Sequence, residues 1–181
     1  MEDNFLLPSG EVVATEDSDT RLDAITQELM KQAMRSVAVH GEFHVVLSSS
    51  DLLDSAYCRL MYDPDLRPMP WEKTHIWFLQ EQRDTLIDET IIMHSGIPEN
   101  QVHRSRVETK IDDDPNFRLD CCVLELDDIP NCSSVMRNGC KVMLVLAENR
   151  DRLASIAEVG VSLQGDVYWF TEKIDLSLEN P

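Results

Sequence analysis

Three short tails place residues able to do chemistry where a site could form: Ser48-Ser49-Ser50, Gln80-Glu81-Gln82 and Asp127-Asp128-Ile129-Pro130-Asn131. Each follows an apolar run that reads as a buried strand: Phe43 to Leu47, His75 to Leu79 and Cys121 to Leu126. In open α/β sheets ligands bind outside the carboxyl ends of strands, so a site would be built from these tails. Serine hydroxyls and free helix-start amides can donate to an anion. The carboxylates of Glu81, Asp127 and Asp128 can take a proton, whereas the amides of Gln80, Gln82 and Asn131 cannot at neutral pH. Ser50 or Asp51 also serves as an ordinary helix cap, and Glu81 also reads as an exposed loop carboxylate.

Other reactive side chains are scattered. His40, His44, His75, His94 and His103 match no metal-ligand spacing, and the five cysteines, Cys58, Cys121, Cys122, Cys132 and Cys140, contain no CxxC pair. No metal and no cofactor are expected. His44 and His75 fall within or at the start of strands, away from the carboxyl ends, and read as structural. Cys132 would be a nucleophile if a histidine and a helix start lowered its pKa, and no sequence neighbour suggests this. The cysteines read as small buried hydrophobes in a reducing cytoplasm.

The elements that must position the tails follow from periodicity. Leu22, Ile25, Leu29, Ala33 and Val37 recur at helical spacing, with Asp17, Ser18 or Asp19 as caps and Gly41 as the stop. A second helix is expected over Asp51 to Tyr62. Pro64, Pro68 and Pro70 keep the next stretch irregular until the strand at His75, and Asp84 to Ser95 predicts a helix closed by Gly96. Val102 to Val107 reads as extended, and Asp112-Asp113-Asp114-Pro115 as a solvated loop. Leu119 to Leu126 and Lys141 to Ala147 are continuous apolar runs, as in strands buried on both faces. A helix capped by Asn149 and running through Val159, then a strand from Asp166 to Phe170, complete the pattern. Strands alternating with helices imply an α/β three-layer α/β/α sandwich with a mostly parallel sheet. Residues 1–18 read as a flexible or edge segment, with Val12 and Val13 as a short edge strand, and 19–181 as a single domain.

A chain of 181 residues with 43% hydrophobic content supports one sizeable core, and its net charge of -18 disfavours nucleic acid and anionic membrane. It has no apolar run of membrane-spanning length, and its start lacks the basic and apolar regions of a signal peptide, so a cytoplasmic protein is expected.

Two segments resemble the 6-phosphogluconolactonase family: Pro70-Trp71-Glu72-Lys73-Thr74-His75-Ile76-Trp77-Phe78, and Ile97-Pro98-Glu99-Asn100-Gln101-Val102-His103-Arg104. Leu47 to Trp71 is similar to that family's first strand, loop and helix, and Gly165 to Glu172 to its carboxyl-terminal "G-LTWYLDE". The resemblance runs from about residue 22 onward, and it implies the fold shared with glucosamine-6-phosphate isomerases. It also implies that Ser48, Ser49 and Ser50 occupy the family's phosphate-binding "SGGSTP" turn. Here Asp51 brings a negative charge to that turn and the glycines are absent. By the same likeness Gln80, Glu81 and Gln82 replace "GDER". Asn131 stands where the histidine of "GMGEDGHTASLFPG" acts as general base, a loss that costs a factor of about 10²–10⁴ in other enzymes. The basic "RVTLT" stretch is missing before Lys141, whose own role is equally that of an edge-strand lysine opposing aggregation.

The expectation is a degenerate member of that family, without lactonase or isomerase activity, that binds a phosphosugar, another small anion or a protein partner. The alternatives are an active hydrolase or isomerase using Glu81, Asp127 or Asp128, and a structural subunit for a competent paralogue.

Overall fold

Asp17 starts helix α1 (Ser18–His40) by accepting a hydrogen bond from the Thr20 amide at 2.7 Å, and Gly41 ends it at φ 91°. Only a residue tolerant of the left-handed region ends a helix this way without strain. The structure, a computed structural model, describes residues 9–79, 85–149, 152–153 and 163–173. Ahead of α1, β1 (Glu11–Thr15) forms an edge of the sheet, where Val12 and Val13 predict a strand. After it come β2 (Phe43–Leu47) and α2 (Asp51–Tyr62), with Ser50 as the cap of α2 through the Leu53 amide.

Strand β3 (Thr74–Phe78) starts one residue before the expected position. The helix expected over Asp84 to Ser95 is divided: α3 (Thr85–Ile87) and α4 (Met93–Ser95) flank a π turn over Asp88–Ile92, and Gly96 closes it at φ 70°. Strand β4 (Val102–Arg106) leads into α5 (Val107–Asp113), which corrects the sequence expectation of an extended Val107 and a loop from Asp112. Val107 and Ile111, one helical turn apart, pack on the sheet, and two apolar residues are too few to announce a helix. Then follow β5 (Leu119–Glu125), a 3₁₀ turn over Leu126–Asn131, α6 (Ser134–Gly139), β6 (Cys140–Asn149) and β7 (Asp166–Glu172). Of the helix expected to start at the cap Asn149 and run through Val159, Asn149 instead ends β6, Arg152 and Leu153 are helical, and the remainder lies outside the described residues.

Among the described residues seven strands pair in parallel, in the order β1-β7-β6-β5-β2-β3-β4. Because side chains alternate along a strand, the sheet buries two cores. Val45, Leu47, Ile76, Phe78, Val123 and Leu144 pack under α1 and α2, while Val46, Trp77, Cys122, Leu124, Met143 and Trp169 pack under α5 and α6. The expected three layers are thus present. The chain runs outward from β2 to β3 and β4, then returns to the other side of β2 with β5, so the topological switch point lies between β2 and β5.

Arg21, only 2% exposed, stands at the carboxyl ends of β6 and β7, a position no sequence signal marks. Its guanidinium donates to the carbonyls of Ala147 and Glu148 at 2.8 and 2.7 Å and pairs with Glu172 at 3.1 Å. Removing a buried charge that satisfies strand-end carbonyls leaves them without partners, so Arg21→Ala should lower unfolding free energy by about 3 kcal/mol. Urea denaturation followed by circular dichroism measures this, and a loss below about 0.5 kcal/mol would mean the contacts carry no net stability.

Candidate functional site

The loops after β2 and β5 face each other across the switch point, and a hydrogen bond closes the space between them. The Ser48 hydroxyl, on a residue 2% exposed, donates to Asp128 Oδ2. The same carboxylate oxygen accepts from the Glu125 amide at 2.9 Å, and the Glu125 side chain returns a bond to the Asp128 amide, a reciprocal capping box. Ser48 is further held by its own amide on the Val123 carbonyl at 3.0 Å and by the Tyr57 hydroxyl on its carbonyl. Leu126 and Ile129, both buried, plug the base of this turn. Local sequence explains the shape: Pro130 and the apolar Ile129 favour a tight 3₁₀ turn over an open glycine loop.

The residues singled out from sequence therefore divide. Ser48 lies at the switch point but points into the Asp128 bond, Ser49 is exposed beside it, and Ser50 caps α2. Asn131 is exposed at the end of the 3₁₀ turn. Gln80, Glu81 and Gln82 lie outside the described residues. Asp127 is exposed and paired with Arg152. Lys141 is exposed at the amino end of β6, an interior strand, so it can neither guard a sheet edge nor reach the carboxyl ends. Burial pushes the Cys132 thiol up to about 12, which rules out a thiolate nucleophile there at neutral pH.

The histidines, scattered in sequence, converge in space, and this corrects the reading of them as unrelated. Parallel pairing sets His44 beside His75 and Trp77 beside His103, all on one face. The His44 and His75 rings stack at 4.5 Å, and Trp77 and His103 at 4.0 Å. Phe117 meets His44 and Trp77 edge-on at 5.0 and 5.4 Å. Trp77 Nε1 donates to His44 Nδ1 at 3.2 Å, His44 Nε2 meets Glu42 Oε2 at 3.3 Å, and His75 Nδ1 meets His103 Nε2 at 2.9 Å. Asp120, buried within the apolar run of β5, fixes the rim by accepting from the His44 amide and bonding His40 Nε2, each at 2.9 Å. The four histidines, Glu42, Trp77 and Phe117, with Lys110, Asp114 and Arg118, line a cavity of about 590 Å³.

This cavity sits at the amino ends of the strands, opposite the Ser48–Asp128 bond. The remaining histidine, His94, closes α4 beside Tyr62 at the carboxyl end of α2. Helices between parallel strands run back along them, so all five imidazoles lie away from the switch point. Register, invisible to a reading of motifs, determines the convergence; the i, i+2 spacing of His75 and Trp77, which sets both on one face of β3, was its sequence signal.

No protein-family model matches the chain, and no curated protein matches it in sequence. Solved structures do match in fold. The 6-phosphogluconolactonase from Thermotoga maritima superposes with a TM-score of 0.68 at 14% identity, covering 91% of this chain and 100% of that one. Those of Trypanosoma cruzi and Shewanella baltica give 0.64 and 0.63 at 10% identity each, covering 94% and 93% of this chain and 97% and 100% of theirs. The α/β fold is thus that of the 6-phosphogluconolactonase structures. Among the described residues no helix is long and apolar enough to cross a membrane.

Burial lowers the pKa of His44, His75 and His103, that of His103 to about 4, with Glu42, Asp120 and Lys110 as the charged neighbours. The folded protein keeps these rings neutral while the unfolded chain takes up protons near pH 6.5, so stability is lost as pH falls from about 6.5 through 4. Urea denaturation at about pH 7 and pH 5 should show this loss, and His103→Gln should make it shallower. Equal losses in the two proteins would contradict the assignment.

Proposed function

We propose that this chain is a catalytically silent domain on a 6-phosphogluconolactonase fold, acting by binding a partner rather than by turnover. The observation that supports this reading is the Ser48–Asp128 bond across the switch point, where the fold would otherwise admit a ligand. A general base must reach the proton it removes. Asp128 is engaged with Ser48 and the Glu125 amide, Asp127 with Arg152, and the five imidazoles lie at the other end of the sheet. Asn131 offers an amide where the resemblance implies a histidine, and an amide takes no proton at neutral pH.

The bridged crevice also weighs against a phosphosugar as the ligand, since Asp51 and Asp54 add carboxylates to the first turn of the helix that would meet its phosphate. A protein partner is the better fit. The net charge of -18 favours a partner with a basic face, because complementary fields speed encounter. Five free cysteines, four of them buried, suit a reducing compartment such as the cytoplasm.

Incubated with 6-phosphogluconolactone, the protein should leave hydrolysis at the spontaneous rate; turnover above that background, abolished by Asp128→Asn, would restore the hydrolase alternative. Millimolar 6-phosphogluconate should leave the thermal midpoint unchanged, since a ligand of the native state raises it by mass action. A saturable rise would assign the crevice to a phosphosugar instead.

A further inference from the structure

We propose that Glu42, His44 and His75, at the amino ends of β2 and β3, form a binding site for a divalent transition metal of the zinc class. One ligand atom from each of the three side chains lies within 4.8 Å of the other two. Two of the separations, 3.3 Å from His44 Nε2 to Glu42 Oε2 and 3.9 Å from His75 Nε2 to Glu42 Oε1, bracket the ligand-to-ligand edge of about 3.4 Å that zinc bonds of about 2.0–2.2 Å require. Two imidazoles and one carboxylate select zinc, cobalt or nickel over magnesium or calcium, which prefer oxygen alone. A fourth position opens into the cavity lined by Lys110 and Phe117.

The surroundings hold the ligands unequally. His75 Nδ1 is 2.9 Å from His103 Nε2, so donating its proton there leaves Nε2 with a free lone pair, the orientation that a supporting hydrogen bond gives to a metal-bound histidine. Glu42, whose side chain is 55% exposed, turns at little cost. His44 differs, because the Trp77 indole donates to its Nδ1 and places its proton on Nε2, toward Glu42. Binding moves that proton to Nδ1, against the indole N–H. This change of tautomer sets the affinity below that of a preorganised centre. The site lies at the opposite end of the sheet from the Ser48–Asp128 bond and stands apart from the proposed function.

Cobalt(II) titration of the full chain tests it, in a Cys58→Ser background, without a histidine tag. One equivalent should bind at micromolar concentration with visible ligand-field bands of a nitrogen and oxygen site and no thiolate charge-transfer band, and zinc should displace it. Glu42→Gln, at an exposed position that leaves folding intact, and His75→Gln should each weaken binding at least about tenfold. No saturable equivalent, a thiolate band, or affinity unchanged in Glu42→Gln would overturn the site.

Discussion

Ser48 and Asp128 follow the strands on either side of the place where the chain reverses its direction of winding, and their hydrogen bond joins two loops that an open sheet of this kind leaves apart. Much of the crest depends on it. Asp128 organises the 3₁₀ turn through the Glu125 capping box, that turn seats Ile129 and Leu126 in the core, and Tyr57 locks the carbonyl of Ser48 from below. A carboxylate so engaged acts as a brace. The bonds from Ser48 and the Glu125 amide both fall on Asp128 Oδ2, and each bond to a charged group contributes about 1.5–3 kcal/mol to holding the turn.

The opposite end of the sheet has the contrary character. There the polar groups face a cavity, are half-sheltered, and are ordered by ring stacking and strand register rather than by a packed turn. Asp120, buried near the amino end of the central strand β5, holds this rim in place by bonding the His44 amide and His40. Binding chemistry thus has somewhere to reside on this fold even with the crest bridged.

Much of the architecture was legible from periodicity and caps. Leu22 to Val37 announced α1, Ser50 announced α2, and the unbroken apolar runs at Leu119 and Lys141 announced strands covered on both faces. Helix α5 was not legible, because its acidic carboxyl end looks like a loop and only Val107 and Ile111 touch the core. At the crest, the family resemblance set Asn131 where it implied a histidine, but the Ser48–Asp128 bond depends on two loops separated by 80 residues and leaves no local trace. The histidine cluster was hidden for the same reason: its members come from three strands, and only their register brings them together.

A double-mutant cycle of Ser48→Ala and Asp128→Asn, read by urea denaturation, bears most directly on whether that carboxylate braces the crest. A coupling of about 1–3 kcal/mol between the two positions is expected for a sheltered hydrogen bond to a charged group. Additive effects within about 0.5 kcal/mol would contradict it, because Asp128 would then be free of Ser48 and available for other chemistry.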